Sequence, residues 1–320
     1  MFPDTTKQPL LEVDGLRVTF VRDNLKSTVV RGISLSLGKG ERAALVGESG
    51  CGKSMTSLAL TRLPPTDRAI VTGEVRYKGK PLTTAGHGVS YVFQDPMSSL
   101  NPVMRVGAQL KEALPRSVTS LSRESVREHL VALLGQVDLP SPETLLRAYP
   151  CELSGGMCQR VMIAMALASE PDLLIADEPT TALDVTTQAD VMDLIERVVR
   201  ERGMALLLST HNLGLVSGRC DTVYVLYAGE VVETGPVRDV LAHPRHPYTQ
   251  GLLRAVPRIE EGRANQLRDI PGTVPSVEEL ATLTGCAFRP RCPYAGADCN
   301  APVPMHDGIR CVRRSPSSPP

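Results

Sequence analysis

The chain has 320 residues, which is enough for one large domain or two smaller ones around a substantial buried core. Lysine plus arginine and aspartate plus glutamate each total 35, so the formal net charge is zero. This balance argues against a polybasic nucleic-acid or membrane-surface protein, because such proteins concentrate positive charge.

The start of the chain carries no sign of export. Residues 1–13 lack the basic and apolar segments of a signal peptide. The longest apolar run, residues 161–168, is far shorter than the roughly 20 residues that a membrane-spanning helix needs. We therefore expect a soluble, cytosolic protein whose cysteine thiols stay reduced.

The first part of the chain is expected to combine an antiparallel sheet with a strand, a loop and a helix. Residues 10–21 and 27–37 alternate apolar and polar side chains, which is the period of half-buried strands. The apolar run 42–47 ends in glycine, and residues 53–63 continue at helical spacing. A hairpin is expected at 73–82.

The middle of the chain is expected to contain helices and then a parallel sheet. After a strand at 89–94, helix patterns such as 122–137 are interrupted by prolines and indicate a small helical subdomain over about 95–165. Two apolar strands that flank a helix then predict a β-α-β unit. These strands lie at 172–177 and 204–210, with the helix at 186–203.

The last part of the chain differs in composition from the rest. A closing hairpin is expected at 221–235, and beyond residue 255 the pattern decays into proline, glycine and cysteine. We therefore predict one domain over residues 1–255 and an extension over 256–320. The polar, proline-rich tail at 313–320 is expected to be disordered.

The segment "GESGCGKS" at 47–54 matches the phosphate-loop pattern G-x-x-x-x-G-K-[ST]. Its glycines allow successive N–H groups to turn inward around an anion, and the following helix N-terminus adds partial positive charge. Lys53 would reach the β- and γ-phosphates, and the Ser54 hydroxyl would bind Mg²⁺. Its place between a predicted strand and a predicted helix disfavours a chance glycine-rich turn. The predicted nucleotide-binding residues are Gly47, Glu48, Ser49, Gly50, Cys51, Gly52, Lys53, Ser54 and Met55.

Two adjacent carboxylates follow a buried strand in "LLIADEPTTALD" at 173–184. The carboxyl end of a strand in a parallel sheet faces the ligand crevice. Asp177 can hold Mg²⁺ through water, and Glu178 is placed to orient or deprotonate an attacking water. The alternative is a solvated acidic turn, which the upstream phosphate loop disfavours.

A third motif, "LSGGMCQR" at 153–160, separates the classes of nucleotide-binding protein. Ser154, Gly155 and Gly156 open a helix, which would be a second anion-binding helix N-terminus on one chain. Two such elements indicate that a second copy of the fold completes the site. With this motif the chain resembles the ABC ATPase family, whose signature is similar to LSGGQ and has Met157 in its last position here.

Other landmarks of that family follow in the same order. The resemblance implies that Phe20 stacks on adenine and that His211, in "STHN", contacts the γ-phosphate. It implies Glu178, His211 and Gln94 in catalysis, and Ser54, Gln94 and Asp177 in Mg²⁺ binding. It also implies Ser154, Gly155, Gly156 and Met157 in contact with the ATP of a partner subunit. Asp184 is implied as the D-loop residue, in the landmark Ala182-Leu183-Asp184 that follows the acidic pair.

The resemblance implies an α/β fold. This is a P-loop NTPase of the ABC type, with a RecA-like core, an N-terminal antiparallel β-subdomain and a helical subdomain, followed here by a cysteine-rich C-terminal extension. Two such domains are implied to pack head to tail, each ATP lying between the phosphate loop of one and the signature serine of the other. Burial of the γ-phosphate closes the pair and hydrolysis opens it.

Longer segments resemble the ATPase subunits of oligopeptide/dipeptide permeases. That resemblance implies a second ABC ATPase subunit, two integral membrane permease subunits, an extracytoplasmic substrate-binding protein and no nucleic acid. It also implies a peripheral location on the cytoplasmic face of the cell membrane. An importer for nickel or another small solute, and a non-transport ABC ATPase, are the alternatives. The segments are 93–102, 153–195, 246–257 and 271–293, and the departures from the family are Cys158, where arginine is usual, and Asn212, where aspartate is usual.

Four of the eight cysteines cluster near the C-terminus with the spacing C-x5-C-x6-C-x11-C. Zinc sites use close C-x2–4-C pairs, and the cluster contains none. Four thiolates can hold a [4Fe–4S] cluster, and the permease resemblance implies one; zinc and thiols without metal are the alternatives. We expect a structural clip, because the extension has little apolar surface to bury. The expected ligands are Cys286, Cys292, Cys299 and Cys311.

Overall fold

The computed structural model describes residues 8–22, 25–63, 69–84, 88–181, 183–255 and 269–313. Ala182, residues 256–268 at the predicted domain boundary, and the predicted tail beyond Arg313 lie outside the described residues. The chain divides into two compact units. The first unit comprises residues 1–83 and 208–320, and the second comprises residues 84–207.

Strands dominate the first part of the described chain, a run of helices follows, and strands and helices alternate only after that run. The strands are β1 (Leu11–Arg22), β2 (Leu25–Leu37), β3 (Arg42–Val46), β4 (Ala69–Tyr77), β5 (Lys80–Pro81), β6 (Val89–Val92), β7 (Leu173–Asp177), β8 (Ala205–Thr210), β9 (Thr222–Tyr227) and β10 (Glu230–Pro236). The helices are α1 (Lys53–Leu60), α2 (Pro96–Ser99), α3 (Val106–Ala113), α4 (Arg116–Thr119), α5 (Arg123–Gln136), α6 (Pro142–Leu145), α7 (Gly155–Leu167), α8 (Val185–Arg202), α9 (Leu213–Val216), α10 (Val237–Ala242), α11 (Pro247–Arg254) and α12 (Val277–Thr282). Short 3-10 turns lie at Pro150–Glu152, Arg289–Arg291 and Ala297–Asn300.

An antiparallel sheet in the order β2-β1-β4-β5 forms one layer of the first unit. Leu11 on β1 lies opposite Leu37 on β2 and Tyr77 on β4. The alternation seen in the sequence puts Leu11, Leu16 and Val18 in the core. The predicted N-terminal antiparallel sheet is confirmed.

The first unit also contains the strand that leads to the phosphate loop. Strand β3 pairs in parallel with β9, and β9 pairs with β10 in an antiparallel hairpin. Residues Ala43 to Val46 are fully buried, as expected of a parallel strand that is covered on both faces. Because β3 and β9 run in the same direction, Val46 and Tyr227 lie at the same edge of the sheet.

Residues 269–313, the described part of the predicted extension, pack within the same unit. The backbone N–H of Arg310 donates to the Val232 carbonyl over 2.8 Å, and the N–H of Thr234 donates to the Gly308 carbonyl over 2.7 Å. Phe288 is 2% exposed, and its ring centroid lies 5.1 Å from that of Tyr227. The extension is therefore joined to β10 by backbone hydrogen bonds and to β9 by an aromatic contact.

The second unit places helices beside a pair of parallel strands. Strands β6 and β7 pair in parallel from Val89 and Leu173 onward. The helices predicted at 122–137 and 186–203 are present as α5 and α8. Asp138, after α5, accepts a hydrogen bond of 2.6 Å from Arg197 on α8. Within the described ranges, no helix has both the length and the apolar character needed to cross a bilayer.

One strand is shorter than the sequence predicts. Strand β6 ends at Val92 rather than at Gln94. The cause lies in the next turn, where the Asp95 side chain accepts from the backbone N–H of Met97 and Pro96 stands at the first helical position of α2. Gln94 consequently stands beyond the strand, where it is exposed.

Candidate functional site

The phosphate loop is wrapped around its own lysine. Gly50 and Gly52 have φ values of 80° and 104°, in the left-handed region that side chains disfavour. The buried Lys53 ammonium donates to the carbonyl oxygens of Gly47 and Glu48, over 2.9 and 3.2 Å. Ser49 at the tip of the loop is exposed. A cation is thus already held beneath an exposed, glycine-rich turn.

Neighbouring elements of the first unit support this loop from the side. The Glu48 backbone N–H donates to the Tyr248 hydroxyl oxygen over 2.8 Å. The Cys51 carbonyl accepts from the Gly229 N–H over 2.9 Å. Burial raises the pKa of the Cys51 thiol, and a β-carbon at Gly47 would lie 2.7 Å from its sulfur. Cys51 therefore fills space in the loop.

The remaining predicted residues of the first unit lie at the end of the phosphate loop or beyond it. Phe20 lies on β1 and is half-buried, and Met55 and Ser54 open α1, also half-buried. His211 is exposed directly after β8. Asn212, which departs from the family pattern, caps α9 by accepting from the Gly214 N–H over 2.9 Å, as an aspartate would.

The second unit holds the predicted acidic pair. Asp177 ends β7 and is 3% exposed, and its Oδ2 accepts a hydrogen bond of 2.8 Å from the Tyr91 hydroxyl on β6. Burial, and then the negative charge of Asp177, raise the pKa of Tyr91 well above its ordinary value, so the phenol remains a donor. Tyr91 fixes one oxygen of this carboxylate.

Glu178 is held at its tip by two polar side chains. Its Oε2 accepts from the Thr181 hydroxyl over 2.9 Å and from the Gln94 amide nitrogen over 3.3 Å. The backbone of Glu178 is left-handed, with φ of 44°, an uncommon conformation for a residue with a side chain. The structure therefore brings together Gln94 and Glu178, both predicted from the sequence.

The signature segment opens a helix in the second unit. Ser154 caps α7, and its hydroxyl accepts from the Met157 N–H over 3.3 Å. A β-carbon at Gly156 would lie 2.7 Å from the Thr187 methyl group, so glycine permits close packing against α8. Asp184 caps α8 by accepting from the Thr187 N–H over 3.0 Å, which lowers the pKa of this carboxyl. Cys158, the other departure, is fully buried.

Four residues that form hydrogen bonds with predicted site residues were not predicted from the sequence. Tyr91 and Thr181 contact the acidic pair, and Tyr248 and Arg291 contact Glu48. Only Thr181 carried a usable signal, because it stands three residues after Glu178 in the same loop. The others are tyrosines and an arginine far away in the sequence.

The clustered cysteines share one cavity in the first unit. Its volume is about 20 Å³, room for about one water molecule. Across the described ranges, no three His, Cys, Asp or Glu side chains are arranged to hold a metal ion. The four thiols converge on a common space without forming a closed ligand set. The lining includes Cys286, Cys292, Cys299, Cys311 and His246.

Burial favours the uncharged forms of several groups that line the cavity. Burial raises the pKa of the Cys286 thiol to about 11 and also raises those of Cys292 and Cys311. His246 is 1% exposed, burial lowers its pKa to about 3, and its Nδ1 accepts from the Tyr248 N–H. The proton therefore sits on Nε2, which has no hydrogen-bond partner among the described residues. Such a buried donor suits thiolate or sulfide sulfur.

Two family models match the chain. Residues 30–181 match the model described as ABC transporter. Residues 232–299 match the model described as the C-terminal region of oligopeptide/dipeptide transporters. The first match contains the phosphate loop, the signature segment and the acidic pair, and the second contains His246 and three of the clustered cysteines.

Relatives match over nearly their full length. A protein of Brucella ovis named for peptide import and ATP binding is 43% identical, covering 96% of this chain and 98% of the relative. The oligopeptide transport ATP-binding protein OppD of Salmonella typhimurium is 46% identical, covering 92% and 90%.

Solved structures share the fold. The structure of cbiO1 from Clostridium perfringens, part of the ABC transporter complex cbiONQ, matches with a TM-score of 0.61 and 26% identity. It covers 74% of this chain and 92% of that chain. A dimeric ATP-binding cassette in a post-hydrolysis state with ADP and Pi matches with a TM-score of 0.61, 24% identity and coverage of 71% and 99%, which shows the fold alone.

Proposed function

The chain belongs to the ABC transporter family, and we propose that it drives the import of di- and oligopeptides through ATP-dependent closure of a head-to-tail pair of nucleotide-binding domains. It is an ATPase and the ATP-binding subunit of a peptide importer. The single observation that most supports ATP binding is the phosphate loop, in which the Lys53 ammonium lies on the carbonyls of Gly47 and Glu48. A phosphate group that binds in the loop would therefore lie next to the Lys53 ammonium.

We propose that Glu178 removes the proton from the attacking water. The water oxygen bonds to the γ-phosphorus while the bond to the β,γ-bridging oxygen breaks, and ADP and inorganic phosphate result. The hydrogen bonds from Gln94 and Thr181 to Glu178 support this role, because they aim the carboxylate. His211, exposed after β8, is proposed to contact the γ-phosphate. Phe20 is proposed to stack on adenine.

Mg²⁺, when bound, neutralises charge on the phosphates. We propose Ser54, Gln94 and Asp177 as its ligands, directly or through water, because it prefers oxygen donors. Gln94 uses its amide nitrogen on Glu178, so its amide oxygen can serve the metal. Tyr91 holds Asp177 at one oxygen, which orients the other.

A second subunit completes the proposed cycle. The exposed N-terminus of α7, with Ser154 and Gly155, supports binding to the γ-phosphate of ATP on the partner. Gly156 and Met157 follow in the same turn, and Asp184 belongs to the neighbouring D-loop. Loss of the γ-phosphate on hydrolysis removes these contacts and opens the pair.

The remaining partners follow from the importer assignment. We propose a second ABC ATPase subunit, two integral membrane permease subunits and an extracytoplasmic substrate-binding protein. The chain is then peripheral on the cytoplasmic face of the cell membrane. Residues 1–255 form the proposed nucleotide-binding domain, with a helical subdomain over about 95–165, and residues 256–320 form the proposed extension.

We propose that Cys286, Cys292, Cys299 and Cys311 hold a [4Fe–4S] cluster, with Zn²⁺ as the alternative. Support comes from their shared cavity and from the unpartnered Nε2 of His246 among the described residues at its wall. The cavity of about 20 Å³ has to widen around the cluster. A bound cluster would clip a region that has few apolar residues of its own.

Substitution Glu178→Gln tests the catalytic role. The amide keeps its size and cannot accept the proton, so we expect ATP turnover to fall by about 100-fold or more while ATP affinity is retained. Steady-state phosphate release and equilibrium ATP binding, measured on the assembled transporter, check both halves of the expectation. The variant should accumulate the closed pair of subunits.

Substitution Lys53→Ala is the matched control. It removes the cation beneath the phosphates, so we expect ATP binding itself to fall by roughly 100-fold. Undiminished turnover in Glu178→Gln would remove Glu178 from the mechanism. An unchanged affinity for ATP in Lys53→Ala would contradict the proposal that this loop binds the phosphates of ATP.

A further inference from the structure

Arg291, in the cysteine-rich extension, makes a two-pronged contact with the phosphate loop. Its Nη1 and Nη2 donate to the two carboxylate oxygens of Glu48 over 2.7 and 3.0 Å. The same guanidinium donates to the carbonyls of Pro271 and Ile270, over 2.8 and 3.1 Å. Such a planar fork on a carboxylate is a geometry that arginine forms and lysine does not.

The two partners differ in burial. The Arg291 side chain is 4% exposed and the Glu48 side chain is 30% exposed. Burial alone would lower the pKa of Arg291, but the Glu48 carboxylate outweighs it and raises that pKa, so the guanidinium stays charged. The charged guanidinium of Arg291 is therefore buried and oriented toward the Glu48 carboxylate of the loop.

Glu48 is the residue through which this contact reaches the phosphate site. Its carbonyl oxygen is one of the two that hold the Lys53 ammonium, and it also accepts from the Cys51 N–H over 3.3 Å. Its N–H is bound to the Tyr248 hydroxyl. With Arg291 on the carboxylate, the side chain and both backbone groups of Glu48 are fixed at once.

The turn that carries Arg291 also borders the cysteine cavity. Phe288 and Cys292, on either side of it, both line that cavity. The Phe288 ring packs against Tyr227 and Tyr248 at centroid distances of 5.1 and 5.4 Å. The turn at Arg289–Arg291 therefore lies beside the cysteine cavity and the rings of Tyr227 and Tyr248, and it contacts the phosphate loop through Arg291.

We propose that Arg291 is a positioning residue for the phosphate loop, and that through it the C-terminal extension sets the affinity of the chain for ATP. The proposal rests on the ATP-binding role of the loop stated above. Arg291 acts through Glu48 on the carbonyl that holds Lys53. It does not touch the nucleotide.

The substitution Arg291→Met tests the proposal on the full-length chain. We expect the dissociation constant for MgATP to rise about tenfold, because a loop that has lost its charged anchor must be ordered when ATP binds. Calorimetric titration gives both this constant and the number of sites. Arg291→Lys keeps the charge without the fork, and should lie between the wild type and Arg291→Met. In the assembled transporter, KM should rise while kcat changes by less than about twofold.

Arg289→Met is the matched control. Arg289 belongs to the same turn, but it donates to Thr284 and Asn300 within the extension. We expect its affinity for MgATP to stay within about twofold of the wild type. The double variant Glu48→Gln/Arg291→Met should bind no more weakly than the weaker of its two single variants, because both changes break one contact.

Three outcomes separate the explanations. An unchanged dissociation constant in Arg291→Met, with fewer binding sites and a lower melting temperature, would show a merely structural role and overturn the proposal. Equal weakening in Arg289→Met and Arg291→Met would also overturn it. A wild-type chain that does not bind MgATP would instead refute the proposed function of the loop.

Discussion

The phosphate loop and the cysteine cavity, both in the first unit, differ in how far their polar groups already have partners. In the loop, Lys53 lies on two carbonyls, and Glu48 is bound by Tyr248 and Arg291. At the cavity, raised thiol pKa values favour protonated sulfur, and the buried Nε2 of His246 has no hydrogen-bond partner among the described residues. The polar groups of the loop already have hydrogen-bond partners in the protein, whereas the Nε2 of His246 at the cavity has none among the described residues.

This difference assigns different energetics to the two regions. A pre-ordered loop loses little conformational entropy on binding, so its ligand gains affinity from existing geometry. Binding of the proposed cluster or metal would require the cavity to widen and release protons, which couples binding to folding, as in small metal-stabilised domains. Substitutions in the loop should therefore lower the stability of the protein even when no nucleotide is bound. Substitutions in the cavity should lower stability chiefly because the proposed metal or cluster is lost.

The largest expected effect is that of Gly47→Ala on the stability of the nucleotide-free protein. The added β-carbon would overlap the backbone oxygen of Leu226 and would lie 2.7 Å from the Cys51 sulfur. Because β9 is paired on both sides, Leu226 cannot move aside, and we expect a loss of about 3 kcal/mol in the free energy of unfolding. Urea denaturation without nucleotide measures it.

Gly50→Ala is the control in the same loop. A β-carbon at Gly50 would meet nothing within 4 Å, so only its φ of 80° opposes alanine. We expect a loss of about 1 kcal/mol. Equal losses in the two variants would contradict a tightly packed empty loop.

A smaller effect is expected for Cys299→Ser, which removes one proposed ligand from the cavity. Cys299 is 9% exposed, and serine is a poor ligand for soft metals. We expect loss of bound iron and sulfide, or of zinc, and a loss of about 2 kcal/mol in stability. Metal analysis and thermal unfolding of anaerobically purified protein check both.

Cys151→Ser is the matched control, because Cys151 is exposed in the second unit. It should keep both the metal content and the stability of the wild type. If the wild type itself holds no metal after anaerobic purification, the four thiols are not ligands.

The last comparison concerns pH. Metal binding requires thiolates, and the raised pKa of Cys286, about 11, means that a proton must be released at neutral pH. Affinity for Zn²⁺ should therefore rise with pH, by about 1.4 kcal/mol per unit for each released proton. Competition titrations between pH 7 and 9 measure this slope.

ATP affinity provides the comparison over the same pH range. The one thiol in the loop, Cys51, has a pKa raised by burial, so this thiol stays uncharged there. An ATP affinity that does not change with pH, beside a Zn²⁺ affinity that rises with pH, would support the difference between the two regions. The same pH dependence for both affinities would contradict it.

Local sequence patterns predicted most of the secondary structure and the motif residues. The strand around Leu11 and the strand before Gly47 were predicted from patterns of residues that are neighbours in the chain. These predictions succeeded because local periodicity is enough to identify such strands. The strand at 89–94 was overestimated, because the Asp95–Pro96 start of α2 ends it at Val92. The capping role of Asn212 could also be read locally, from the short helix that follows.

What the sequence could not predict depends on tertiary contact. Tyr91 and Asp177 are 86 residues apart, and Glu48 and Tyr248 are 200 residues apart. No periodicity links such pairs, because only the tertiary packing of distant elements brings them together. The inward position of Cys158 likewise follows from the helix packing around α7 rather than from its motif.

The distance in sequence between Glu48 and Arg291 also orders events during synthesis. The two residues are 243 positions apart, and a ribosome adds 5–20 residues per second, so the loop emerges roughly 10–50 s before its anchor exists. A nascent or C-terminally truncated chain therefore has an unanchored phosphate loop and should compete poorly for cellular ATP. If Arg291 anchors the loop as proposed, full affinity becomes available only when the last part of the polypeptide has been made and folded.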